Sequence, residues 1–115
     1  MEIEKFLEMA KTLEKKKKKK KGEGEELEKL QGFFERFHNL NRAYLDKETF
    51  EKAQGSISTM AEAIANTIQF LDSEITRLRN KRMKLPFENV ELGEMQKVQK
   101  KNELMIKEFI VGERE

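Results

Sequence analysis

Glu35 and His38 stand three residues apart in a helical stretch, which puts a carboxylate and an imidazole on one face. That is the ligand spacing of di-iron carboxylate sites, where two such Glu-x-x-His pairs project between helices. This chain has one histidine, so only a dimer would supply the second pair. The plainer expectation is a histidine at the edge of a Phe34/Phe37 face. Zinc fails for the same want of ligands, and the absence of cysteine removes thiolate nucleophiles, disulfides, zinc fingers and thiolate-held iron–sulfur clusters. Glu88, Glu91 and Glu94 recur at threes, which a Glu-rich helix start explains without a metal. The chain contains neither a Gly-rich phosphate loop nor a Gly-x-Ser-x-Gly elbow. With 20 Glu and 18 Lys, no acid or base is singled out by type. The expectation is a protein that is not an enzyme, with no catalytic residue, metal, cofactor or small-molecule substrate.

The charge pattern carries more information than those single residues. The net charge is only +2, yet Lys15, Lys16, Lys17, Lys18, Lys19, Lys20 and Lys21 form an unbroken run. Arg77, Arg79, Lys81, Arg82 and Lys84 place five more cations in eight positions. These two acid-free blocks hold 12 of the 24 basic residues, leaving 12 cations against 22 acids elsewhere. Such segregation suits docking onto a polyanion or an acidic protein face. Lysines near a nucleic-acid backbone release condensed counterions, so both blocks are candidate nucleic-acid or polyanion contacts. Each also has a plain structural role, the first as a solvated connection and the second as cations complementing a helix C-terminus. The aromatic interleaving of single-strand binders is missing.

Two further motifs are weaker. Residues 53–59 (Ala-Gln-Gly-Ser-Ile-Ser-Thr) suggest a helix-turn-helix, but Glu51 stands where the alanine before the turn glycine belongs. Leu27-x-x-Leu30-x-x-Phe33-Phe34 echoes the box that binds sliding clamps, without its leading glutamine. Adjacent phenylalanines on a helix are more commonly core.

Everything that would position these residues is helical. Leu, Ile, Val and Phe number 29 of 115, above the roughly 20% below which disorder becomes the default. The length implies one domain over residues 1–115 with a thin core. Ile3, Phe6, Leu7, Ala10 and Leu13 make a helical stripe, so a first helix is expected over 1–21, fraying through its lysines. A linker at 22–24 leads to a second helix at 25–45, carrying Leu27, Leu30, Phe34, Phe37, Asn41 and Tyr44 on one face. Gly32 inside it costs about 1 kcal/mol relative to Ala, which a close helix crossing would justify.

Asp46 is a good N-cap for a third helix at 46–85. The stripe Phe50, Ala53, Ile57, Met60, Ile64, Ile68, Leu71, Ile75, Leu78 advances by threes and fours with one stutter, a coiled-coil-like pattern. Gly55-Ser56 interrupts it chemically, and Thr59-x-x-Glu62 has the form of a capping box. Because the stripe keeps its phase across Gly55, continuity is favoured over two helices meeting near Gln54 and Ser58 or Thr59. Pro86 should close this helix. A connection at 86–92 would tuck Phe87, Val90 and Leu92 inward, and a fourth helix would span 93–111, stopping at Gly112.

The expected class is therefore all-α, four-helix bundle-like, with one long coiled-coil-like third helix. A third helix of about 57 Å would overhang partners of about 30 Å and expose its stripe. Oligomerisation would cover it, a dimer first of all, with Ile57, Met60, Ile64, Ile68, Leu71, Ile75 and Leu78 as the oligomer interface. The first function expected is a non-enzymatic adaptor, scaffold or structural subunit working by self-assembly and protein–protein contacts. The second is a nucleic-acid-associated accessory protein using the basic blocks on DNA or RNA phosphates. The start Met1-Glu2-Ile3-Glu4-Lys5 lacks the form of a signal peptide, and no apolar stretch approaches the ~18 residues of a membrane span. A cytoplasmic protein without membrane contact is expected.

Overall fold

The computed structural model describes residues 3–17 and 24–114, with side chains at 3–15 and 28–112. Among these the chain is all-helical and contains no strand. The elements are α1 (Ile3–Lys17), α2 (Gly24–Leu40), α3 (Lys47–Ala53), α4 (Ile57–Asn80) and α5 (Pro86–Arg114). The other four helices pack against α4, and the whole measures 56 × 28 × 16 Å.

The central place of α4 follows from its composition. Beyond the stripe, Ala61, Ala63, Ala65 and Thr67 are also buried, so its first three turns are covered nearly all round. A helix apolar over most of its circumference has to be enclosed on those sides, and small residues let its neighbours approach closely. Ser58, Glu62 and Asn66 keep one narrow face in solvent. Thr67 satisfies its hydroxyl on the Ala63 carbonyl one turn back, at 2.9 Å.

The long third helix is corrected to two. Ser56 takes an extended backbone (φ −150°, ψ 155°), and its Oγ accepts the Thr59 N–H at 3.2 Å, capping α4. Thr59 Oγ1 donates to the Ala53 carbonyl at 2.7 Å and so ties the end of α3 to the start of α4. The cap is thus Ser56, with Thr59 three residues inside the helix, and not Thr59 itself. These hydroxyls offer the backbone an alternative to continuing the helix. The stripe nevertheless holds its phase, because Ala53 on one side and Ile57 and Met60 on the other bury into the same cluster.

Other boundaries also differ from expectation. The second helix stops at Leu40, because Asn41 turns its side-chain amide onto the Phe37 carbonyl at 2.8 Å and residues 41–45 form a turn. As expected, Asp46 caps α3 through the Thr49 N–H. Pro86 opens α5 instead of closing α4, since the missing proline N–H costs nothing in a first turn. The supposed connection at 86–92 is the start of that helix, which continues through Gly112 to Arg114. Of the lysine run expected to fray, residues 15–17 are still helical, and of the linker expected at 22–24, Gly24 already opens α2; residues 18–23 lie outside the described residues.

Two apolar clusters lie along the long axis. The first gathers α1, α2, α3, the N-terminal half of α4 and the C-terminal end of α5. Phe6, Phe33 and Phe109 join α1, α2 and α5 there, with ring centroids 4.9–5.8 Å apart. The second gathers Leu71, Leu78 and Met95, with Tyr44, Ile75, Leu92 and Val98 packed on it. Between them runs a layer of amides. Asn41 and Asn102 bond each other, Asn102 donates to Gln99 at 3.2 Å, and Gln99 donates to the Ile68 carbonyl and to Asp72.

This packing removes the motive for the expected oligomer interface. Ile57, Met60, Ile64, Ile68, Leu71 and Leu78 are all buried by helices of the same chain, and Ile75 is half-buried on the second cluster. Splitting the helix at Ser56 leaves α4 about 36 Å long, beside an α5 of about 43 Å, so α4 does not outrun its partner. Gly32 also differs from expectation: it is exposed, and a Cβ there would meet nothing within 4 Å.

Candidate functional site

The second basic block lies where α4 passes into α5. Its last buried anchor is Leu78, and Lys81 ends α4 in an extended conformation with its N–H on the Leu78 carbonyl at 3.3 Å. From there to Pro86 the chain crosses the end of the molecule without regular structure.

Glu88 organises that crossing. Its Oε1 accepts the Leu85 N–H at 3.0 Å, the return half of a capping box with Pro86 at the first helical position. The same carboxylate receives Lys81 Nζ at 2.7 and 3.0 Å, which bridges the end of α4 to the start of α5. The Lys81 hydrogen bond, with that of Leu85 behind it, holds the Glu88 carboxyl below its ordinary range although its side chain is buried. Arg77 is also engaged, forking onto Glu74 through Nε at 3.0 Å and Nη2 at 2.8 Å. Of the five cations in this block, Arg79, Arg82 and Lys84 make no ion pair among the described residues.

Beside those cations stands apolar surface. Met83 is 86% exposed, Leu85 54%, Phe87 63% and Val90 68%. Phe87 and Val90 were expected to tuck inward. They point outward because α5 begins at Pro86, and its inward face there is taken by Glu88 and Leu92. Four large apolar side chains within eight residues differ from singly scattered ones, which need no explanation.

Of the first block, only the Lys15 side chain is described, and it is not at this surface. Lys15 is exposed near the end of α1, which packs wholly in the first cluster, on the other side of the amide layer from residues 77–84. Lys16 and Lys17 belong to α1 by backbone, their side chains lie outside the description, and Lys18, Lys19, Lys20 and Lys21 lie outside the described residues.

The remaining motifs resolve into structure. His38 stacks on Phe50, with centroids 4.1 Å apart and planes 10° from parallel, while Glu35 faces solvent. Among the described residues no three His, Asp or Glu side chains gather as a metal site. Leu30, Phe33 and Phe34 of the clamp-like box are buried core. The turn at 54–56 does join two helices, but α4 is the central helix against which the others pack and does not project as a recognition helix would. Among the described residues no helix is long and apolar enough to cross a membrane.

What sequence reasoning missed is the apolar half of the α4–α5 end. The available signal was Pro86 followed two residues later by Glu88, a helix start, which would have turned Phe87 and Val90 outward. No protein-family model matches this chain, and neither curated proteins nor solved structures provide a match.

Proposed function

We propose that this chain is a non-enzymatic helical-bundle adaptor that works through protein–protein contacts made at its α4–α5 end. The observation that carries this reading is the exposure of Met83, Leu85, Phe87 and Val90 among the cations Arg79, Arg82 and Lys84. Covering each such apolar side chain is worth about 1.5–3 kcal/mol, so a partner presenting apolar atoms gains most from this surface. Apolar anchors ringed by charge are also the anatomy of binding hot spots. Self-assembly through the α4 stripe has no part in the reading, since that stripe is already buried.

A photoreactive benzophenone side chain in place of Phe87 tests this in extracts of cells that make the protein. The expected result is a discrete protein adduct that Leu85→Asp removes. A nuclease-sensitive adduct, or none, would overturn it.

A second reading as a nucleic-acid accessory protein rests on the three unpaired cations. It requires affinity for a DNA or RNA strand that falls steeply with salt, with a slope flattened by neutralising Arg79, Arg82 and Lys84. The absence of strand binding at low salt removes it.

A further inference from the structure

A surface groove of about 640 Å³ runs between α4 and α5, back from the exposed apolar end. On its α5 wall Gly93, Lys97 and Lys100 follow one line at i, i+4 and i+7, and Val90 continues that line to the end of the molecule. On its α4 wall Asp72, Ile75 and Arg79 follow at i, i+3 and i+7. We propose that this groove receives an acidic amphipathic segment of a protein partner, with carboxylates on Arg79, Lys97 and Lys100 and apolar side chains on Val90 and Leu85. The proposal rests on the reading of the α4–α5 end as a protein-contact surface and specifies what that partner presents.

Three observations lead there. The first is charge. Arg79, Lys97 and Lys100 make no ion pair among the described residues. Against these three cations the groove sets two carboxylates, Glu103 and Asp72, the latter hydrogen-bonded by the Gln99 amide at 2.9 Å. The excess charge facing an occupant is positive and lies towards the exposed apolar end, at Arg79 and Lys97, which favours carboxylates there.

The second is Gly93. Glycine is a poor residue for a helix interior, and nothing within the chain demands it here: a Cβ would meet no atom within 4 Å. The missing side chain instead leaves the groove wall open for an occupant's backbone to come close.

The third is shape and length. From Val90 to Glu103 the α5 wall extends about 20 Å, room for a helical segment of about 13 residues. Val90 lies one turn before Gly93 on α5 and Leu85 just before that helix begins, and they are 68% and 54% exposed. A phosphate backbone would use the cations and leave those side chains wet. An amphipathic segment uses both, as helix-in-groove recognition does.

Fluorescence anisotropy on the full chain tests this with labelled Glu-rich peptides of about 13 residues carrying leucine at i, i+3, i+7 and i+10. The comparison probes are a peptide of the same composition with leucines on all faces, a single-stranded DNA of similar length and phosphatidylglycerol vesicles. The amphipathic peptide should bind at least about tenfold tighter than its scattered counterpart, and Gly93→Gln should weaken it by about tenfold or more. That variant fills the groove without an internal clash at its Cβ, so its melting temperature should not fall. Equal affinity for the two peptides, tighter binding to DNA or vesicles, or an indifferent Gly93→Gln would overturn the proposal. If the peptide fails while the Phe87 adduct is still a protein removed by Leu85→Asp, the groove proposal falls and the adaptor reading stands. If both fail, both fall.

Discussion

Asn41 and Asn102 are 61 residues apart in sequence, and across the core each donates its Nδ2 to the other's Oδ1, at 2.8 and 2.9 Å. Both are buried, and every bond of this pair has a second attachment: Asn41 to the Phe37 carbonyl, Asn102 to Gln99. A buried amide is costly unless satisfied, so this pair admits one alignment of the α2 end against α5 and penalises slippage. It also separates two apolar clusters that would otherwise merge along α4.

Asn41→Leu alone should destabilise the fold by about 1–3 kcal/mol, because it strands the Asn102 amide away from water. Asn41→Leu with Asn102→Leu should cost less than the sum of the two single changes. Urea denaturation of the four proteins in a double-mutant cycle measures the coupling, and strict additivity would contradict it.

Ile64 and Ile68 are fully buried among helices of their own chain. Truncating either to alanine should cost about 2–5 kcal/mol through lost burial and the cavity left behind. Light scattering should show the same mass before and after, since these side chains hold helices of one chain together. A change of mass on substitution would argue for an interface on α4.

Gly32 lies in α2 with open space where a side chain would be. Gly32→Ala should therefore stabilise the fold by about 1 kcal/mol, from helix propensity and from the narrowed freedom of the unfolded chain. A rise in melting temperature checks this, and a fall would reveal a contact at Gly32.

Ser56 caps α4 and starts the break from α3. Ser56→Ala should cost about 1 kcal/mol by leaving the Thr59 N–H without its acceptor. Ser56→Asp keeps an acceptor there and should retain most of the stability, as read from denaturation midpoints.

Glu88 and Asp46 contribute to the acid side of the stability profile. Hydrogen bonds from Lys81 and from the Leu85 N–H hold Glu88 below its ordinary 4.5. The Thr49 hydroxyl and N–H hold Asp46 below its ordinary 3.8. Each carboxylate thus adds stability that is present above those values and lost as the pH falls through the depressed ones. Glu88→Gln with Asp46→Asn should flatten the acid limb of unfolding free energy against pH, measured by denaturant titration from pH 2 to 7. Tyr44 acts in the opposite direction: burial, with Glu91 and Glu94 nearby, raises it above 10.0, so its contribution is present below that value and lost as the pH rises.

Helical class was legible in the sequence because periodicity is a local property. The stripes Phe6–Ala10–Leu13 and Ile57–Met60–Ile64–Ile68 determined which faces turn inward, and all of these residues are buried. Capping chemistry was legible too, at Asp46. At Ser56 and Pro86 it was equally present but outweighed by the continuing stripe and by the habit of proline as a terminator.

What covers each face is a different kind of fact. No local pattern states that α1, α2 and α5 enclose the α4 stripe, because burial depends on helices brought together from distant parts of the chain. For the same reason the Asn41–Asn102 pair could not be read from residues 61 positions apart. The segregation of basic charge was fixed by composition and order alone. Only the tertiary structure decided that Arg77 and Lys81 are already matched, that Arg79, Arg82 and Lys84 are not, and that Met83, Leu85, Phe87 and Val90 stand exposed beside them. Charge is carried by the residue itself, but its availability to a partner is set by what the fold places within reach.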